Sequence, residues 1–327
     1  MAISKLQPRF RCPLASLMEQ FIQVKRACGY RFDTGVTDLM RFDRYLCDEA
    51  LATPDLPRAI VRKWLVKRPH ESVGTHQARI STARQFAQYL CRLGHHAYVP
   101  ERSFSPRASG AFSPRILTLI EIQQLLHAVD HFTPSAQSPL RHLVMPEVFR
   151  LLYGCGFRLN EVLHLRVADV DLNHGVLTLR DTKFGKDRLV PPAIALVQRL
   201  QRFAAQFGIR SADAYFFPTL HGGPWFSGTI YEIFRELLCR CGIPHGGRGK
   251  GPRVHDLRHT MAVHTLLRWY REGADLDAKL PILATYLGHQ SLAGTQRYLH
   301  LTAELFPQIT VRVNAEFGDV IPRRATA

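Results

Sequence analysis

No run of apolar residues in this chain approaches the ~20 that a membrane-spanning helix needs, and the chain does not open on a basic-then-apolar secretory pattern. The expectation is a soluble protein of the cytoplasm. None of its seven cysteines forms a C-x-x-C pair, so neither a zinc knuckle nor a disulfide framework is indicated. Most of them fall within apolar helical patterns, where a free cysteine acts as a small hydrophobe. Internal repeats are absent, and one stretch alone has a biased composition. Acidic residues are scarce as well: 27 Asp and Glu stand against 43 Lys and Arg, for a formal charge of +16.

That imbalance favours a polyanionic partner, because each neutralised phosphate releases condensed counterions. A membrane surface would compete for the same charge, but no segment carries the strongly one-sided basic face that such binding requires. Apolar spacing predicts helices over Leu14 to Val24, about Thr37 to Glu49, a third carrying Ile60, Val61, Trp64 and Leu65, and a fourth carrying Ile80, Ala83, Phe86, Tyr89 and Leu90 that Gly94 stops. Short connections between them imply a small helical bundle. Its outward faces are expected to hold Arg62, Lys63 and Arg79, which fit a DNA backbone as well as they fit a merely solvated face. From Pro100 to Pro114 the chain turns rich in Ser, Pro, Gly and Ala, too poor in apolar area to fold, and reads as a linker. Beyond it, Thr118 and Glu121 form a capping box before a helix. A helix is expected over roughly Met145 to Cys155. Residues Gly175 to Leu179 alternate as a strand that returns at Arg188-Leu189-Val190, and further helices follow over Ser227 to Cys239, Arg258 to Tyr270 and Ile282 to Leu287.

Four local patterns carry chemistry. In Gly154-Cys155-Gly156-Phe157-Arg158-Leu159-Asn160-Glu161, two glycines let the chain turn sharply into a helix, so that Arg158 sits at a helix start suited to an oxyanion. Glu161, one turn on, could orient Arg158 or close the helix start; an ordinary salt bridge is the plainer alternative. In Thr182-Lys183-Phe184-Gly185-Lys186-Asp187-Arg188, a hairpin turn presents Lys183, Lys186 and Arg188. In Val254-His255-Asp256-Leu257-Arg258, spacing of three puts His255 and Arg258 on one side of an entering helix. Just before it, a glycine-rich loop carries Arg248, Lys250 and Arg253. In Leu287-Gly288-His289 and Thr295-Gln296-Arg297-Tyr298-Leu299-His300, a histidine precedes a tyrosine, which in isolation would be a packing residue.

Taken in order, these patterns resemble the signatures of the tyrosine recombinase, or phage integrase, superfamily: G-x-R-x-x-E, a β-hairpin lysine in its Xer-like form, H-x-x-R, and L-G-H followed by T-x-x-Y-x-H. The resemblance implies a mainly α fold, with an N-terminal helical core-binding (SAM-like) bundle and a mostly α catalytic domain containing a small antiparallel β-hairpin or sheet. Tyr298 would be the nucleophile, and Arg158, Arg258 and His289 would stabilise charge on the phosphoryl oxygens. Lys183 would protonate the leaving oxygen, and His255 would assist proton transfer or orientation. Glu161 and His300 would support these groups from behind. Lys186, Arg188, Arg248, Lys250 and Arg253, with Arg62, Lys63 and Arg79, are the expected DNA contacts. Neither a metal nor another cofactor is implied.

The expected layout is a tail over 1–12, a core-binding domain over 13–99, a linker over 100–115, a catalytic domain over 116–302 and a C-terminal tail over 303–327 that docks in trans or folds back in cis. An additional arm-binding domain is not expected. The partners implied are double-stranded DNA with inverted half-sites and further copies of the chain, as a dimer per site and a homotetramer on DNA, with room for a partner recombinase and no membrane. The same chemistry would serve a mobile-element integrase or transposase, which the N-terminal half favours, an Xer-like dimer resolvase, or a type IB topoisomerase. A catalytically inactive DNA-binding regulator is the alternative of another class, against which the complete residue set argues.

Overall fold

The computed structural model describes residues 10–30, 32–101, 114–180, 187–208, 210–247, 251–289, 291–296 and 298. The chain divides into two compact units, Met1–Phe112 and Ser113–Ala327. The described residues are mostly helical, with one small antiparallel sheet.

The first unit is built from α1 (Ala15–Ala27), α2 (Asp33–Asp48), α3 (Arg58–Leu65) and α4 (Val73–Arg92). Apolar residues at helical spacing turn inward, and Met18, Phe21, Leu39, Phe42, Val61, Trp64, Ile80, Phe86 and Leu90 form its core. Helix α4 opens on a Ser72 side chain that accepts a hydrogen bond from the Thr75 amide and stops just before Gly94, whose φ is +85°. A parallel bridge from Leu56 to Ala97 ties the end of the unit back to its middle.

One expectation is corrected here. Arg79 does not lie on the outer face of α4: its side chain is 2% exposed. It donates through Nε and Nη2 to the Glu71 carboxylate, each at 2.8 Å, to the Val66 carbonyl at 3.0 Å and to the Trp64 carbonyl, while its guanidinium lies over the Trp64 ring. A buried cation persists only where its donors are satisfied, and this arrangement closes the loop between α3 and α4. Arg79 therefore holds the fold and does not face DNA. Lys63 is exposed and pairs with Glu49, and Arg62 is exposed.

In the second unit, α5 (Leu119–Asp130) begins with the capping box read from the sequence: Thr118 accepts from the Glu121 amide at 3.1 Å and Glu121 from the Thr118 amide at 2.7 Å. Helix α6 (Arg141–Gly154) is the central element, packing against α5, the short α7 (Leu159–Leu163), α8 (Ile194–Gln206) and α10 (Asp256–Arg271). Strands β1 (Val170–Asp171), β2 (Val176–Leu179) and β3 (Arg188–Val190) form an antiparallel sheet in that order, with Leu179 opposite Arg188. Helix α9 (Ser227–Arg240) lies on α5 and α7, and α11 (Leu276–Leu287) contacts α10, β3 and the short α12 (Leu292–Gln296).

Helix α8 and strand β1 were not among the expected elements. The buried residues of α8, Leu196, Leu200 and Phe203, have helical spacing, and the helix follows the Pro191-Pro192 pair. Helix α11 begins six residues before the expected Ile282. Its Asp275 cap accepts from the amides of Asp277 and Ala278, and the helix passes through Pro281.

Candidate active site

The C-terminal end of α11 and the N-terminal ends of α7 and α10 meet, and the candidate residues meet with them. Gly156, at φ +62°, turns the chain from α6 into α7, and a Cβ there would lie 2.8 Å from a Leu287 methyl. Gly288, at φ +68°, ends α11, and a Cβ there would lie 2.8 Å from the Arg188 guanidinium. Both positions therefore need glycine for conformation and for space. This close approach presents main-chain carbonyls to the arginines. Arg258 donates to Gly156 O and Leu287 O, each at 2.6 Å, and Arg158 donates to Gly288 O at 3.2 Å.

Arg158 caps α7, one position ahead of the expected first turn. Glu161 does both things considered for it: its carboxylate accepts from the Arg158 amide at 2.8 Å and from the Arg158 guanidinium at 2.7 Å. It also accepts a two-pronged pair of bonds from Arg188, both at 2.9 Å. Burial alone would raise the Glu161 pKa, but the bonds from Arg188 and Arg158 outweigh it and hold the carboxyl below its usual range. Arg188, expected on a DNA backbone, is instead 11% exposed, with both terminal nitrogens on Glu161. Its place beside Leu179 in the sheet directs it inward, so it links the hairpin to the site.

Arg258 is 1% exposed. Burial first, and then the charge of Arg158, pull its guanidinium down to about 10, against the opposing pull of Tyr298 and Glu161. Two arginines, Arg158 and Arg188, thus bond one carboxylate and the buried Arg258 lies within its electrostatic reach, leaving an excess of positive charge suited to an anion.

His255 caps α10 with an open outer edge. Burial of its inner side, followed by the charges of His259 and Arg258, lowers its pKa to about 4. His289 is lowered to about 4 by burial and then by Arg258 and Arg158, and its Nδ1 shares a hydrogen bond of 2.7 Å with Thr295. The His289 ring stacks on Tyr298 at a centroid separation of 6.0 Å. Tyr298 is 2% exposed, packed with Val263, Leu266, Leu283 and Leu287, and its hydroxyl lies 3.2 Å from Nδ1 of His259.

Arg158, Glu161, His255, Arg258, His289 and Tyr298 are therefore brought together. Lys183, Lys186, Arg248, Lys250 and His300 lie outside the described residues, as do the linker's residues 102–113 and the tail from 301 onward. Arg253 keeps a 44% exposed side chain and pairs with the buried Asp256 at 3.2 Å. The sequence reading missed His259 and Thr295. The spacing of His259 four residues after His255 was the available signal, since it places both on one face of α10.

The model of the phage integrase family matches residues 115–304. The integrase/recombinase y4rB of Sinorhizobium fredii is 32% identical over 308 residues, covering 92% of this chain and 97% of its own length. Among solved structures, the XerH site-specific recombinase bound to palindromic difH substrate superposes with a TM-score of 0.63 at 19% identity, covering 92% of this chain and 84% of the other. The Tn1549 transposon integrase in complex with transposon right end DNA gives a TM-score of 0.59 at 17% identity, with 86% and 94% covered. The fold is shared with both of these structures. The chain belongs to the phage integrase family and is a tyrosine-type site-specific recombinase.

Proposed function

We propose that this recombinase cuts and rejoins duplex DNA through a covalent 3′-phosphotyrosyl link, as the integrase or transposase of a mobile element. Tyr298 attacks the scissile phosphorus, and the 5′-oxygen leaves with a proton from Lys183. Arg158, Arg258 and His289 receive the charge that builds on the non-bridging oxygens, and His255 assists proton transfer or orientation. The 5′-hydroxyl of a partner strand then reverses the attack and completes exchange, so the bond energy is conserved. Positioning and electrostatics supply most of the acceleration in such phosphoryl transfers.

The observation that carries this reading is the convergence of Arg158, Arg258, His255 and His289 on a buried tyrosine. The integrase/recombinase name of the Sinorhizobium fredii relative supports the mobile-element role. The protein works in the cytoplasm, and among the described residues no helix is long and apolar enough to cross a membrane. The helical unit grips DNA through Arg62 and Lys63, and Lys186, Arg248, Lys250 and Arg253 add contacts from the second unit. Strand exchange between two duplexes needs one nucleophile per cut strand, which implies a dimer on inverted half-sites and a homotetramer in the exchanging complex. Segment 303–327 docks on the neighbouring protomer.

Sheared genomic DNA from the protein's own host tests this without a known target. The wild-type protein should retain specific fragments through a bond that survives detergent, and sequencing them gives the site. Tyr298→Phe should retain none while binding those fragments within a few fold. Detergent-stable retention by Tyr298→Phe would overturn the assignment.

A further inference from the structure

The nucleophile carries a proton that must leave as its oxygen bonds to phosphorus; His255 is given proton transfer or orientation above, but the ring nitrogen within hydrogen-bond reach of that oxygen belongs to His259. We propose that His259 is a further catalytic residue, whose Nδ1 holds the Tyr298 hydroxyl and accepts its proton during attack. The inference rests on Tyr298 being the nucleophile.

Several independent features support it. The Nδ1 to hydroxyl separation is 3.2 Å, and the rings lie 5.5 Å apart at a tilt of 55°. That is within reach of a hydrogen bond before DNA is present, when catalytic contacts are commonly loose. Position matters as well. His259 follows Arg258 directly on α10, so one rigid helix fixes both the phosphate clamp and the acceptor. The start of that helix is anchored in turn, because Thr260 is fully buried and accepts a hydrogen bond from the Leu117 amide at 3.2 Å. His255 stands edge-on to His259, with ring centroids 4.8 Å apart. His289 turns its Nδ1 to Thr295, which suits it to a ring donor on the phosphate rather than an acceptor for the tyrosine. Finally, Tyr298 is 2% exposed, so bulk water has little access to take the proton.

The step balances as follows. The Tyr298 oxygen forms a bond to phosphorus while its proton passes to Nδ1 of a neutral His259, whose Nε2 carries the ring hydrogen. The bond from phosphorus to the 5′-oxygen breaks, and that oxygen takes a proton from the general acid. Rejoining returns each proton along the same path.

Single-turnover cleavage of a nicked substrate, drawn from the DNA that the wild-type protein captures, tests the role. His259→Ala should bind this DNA within about threefold of wild type yet cleave on the order of 100-fold more slowly. Its rate should lose the acid limb of the pH profile, and added imidazole should restore cleavage in proportion to the free base. A 5′-bridging sulfur at the cut should not rescue it, because sulfur relieves only the need for an acid. His259→Gln, which keeps a polar side chain but no base of suitable strength, should stay slow. Either variant cleaving within threefold of wild type with the same pH profile would overturn the proposal. A slow His259→Ala with an unchanged profile and no response to imidazole would do the same, leaving only a packing role. Tyr298→Phe separates the two readings: an adduct formed by that variant removes the nucleophile assignment itself, whereas its absence beside a fully active His259→Ala removes this inference alone.

Discussion

The histidines of the site differ from free imidazole in a way that dictates when they carry charge. His255 and His289 are held at about 4, so both are neutral at physiological pH in the free protein. A neutral ring can donate one hydrogen bond to a phosphoryl oxygen without adding a further cation to Arg158, Arg188 and Arg258. The sign of the linkage follows. These pKa values lie below the ordinary histidine value, so the unfolded chain binds more protons, and their contribution to stability is present above about 6.5 and lost as pH falls towards 4. Bound phosphate supplies the opposite charge and favours the protonated rings. A titration followed by NMR should therefore find both histidines neutral down to near pH 4 in the free protein, with midpoints that move upward on DNA. Ordinary midpoints near 6.5 in free protein would contradict the burial and charge described for the site.

The elements show how far a residue pattern carries and where packing takes over. The capping box at Thr118, the hairpin strands around Leu179 and Arg188, and the helix behind His255 were all legible, because each depends on neighbours close in sequence. Helix α8 was not among the expected elements, although Leu196, Leu200 and Phe203 have a regular apolar spacing. Arg79 failed because spacing alone cannot tell a charged residue on the outer face of a helix from one buried against a carboxylate on the preceding loop. The roles of Gly288 and Arg188 likewise depend on contacts between segments far apart in the chain. These contacts make a clear prediction for the helical unit. Arg79→Ala leaves Glu71 buried without its partner and should cost about 3 kcal/mol of stability in denaturant unfolding of that unit. Arg62→Ala should leave unfolding unchanged within about 0.5 kcal/mol and weaken DNA binding instead. The reverse assignment of the two effects would restore Arg79 to a DNA-facing role.

Charge acts over longer distances than any of these contacts. With a net +16, the protein should meet DNA through its phosphates, and affinity should fall steeply with salt. A clamp making several phosphate contacts loses on the order of 10³ in affinity between about 50 and 200 mM salt. A flat dependence in a fluorescence anisotropy titration would contradict it. Binding alone, however, does not distinguish a recombinase from a regulator that merely occupies its site. The covalent intermediate does. After reaction with captured DNA, the protein should be digested with protease and nuclease and its peptides weighed. The account predicts a nucleotide remnant joined through its 3′-phosphate to Tyr298 and to no other residue. A remnant on another tyrosine, such as Tyr270 or Tyr286, or attachment through a 5′-phosphate, would contradict it.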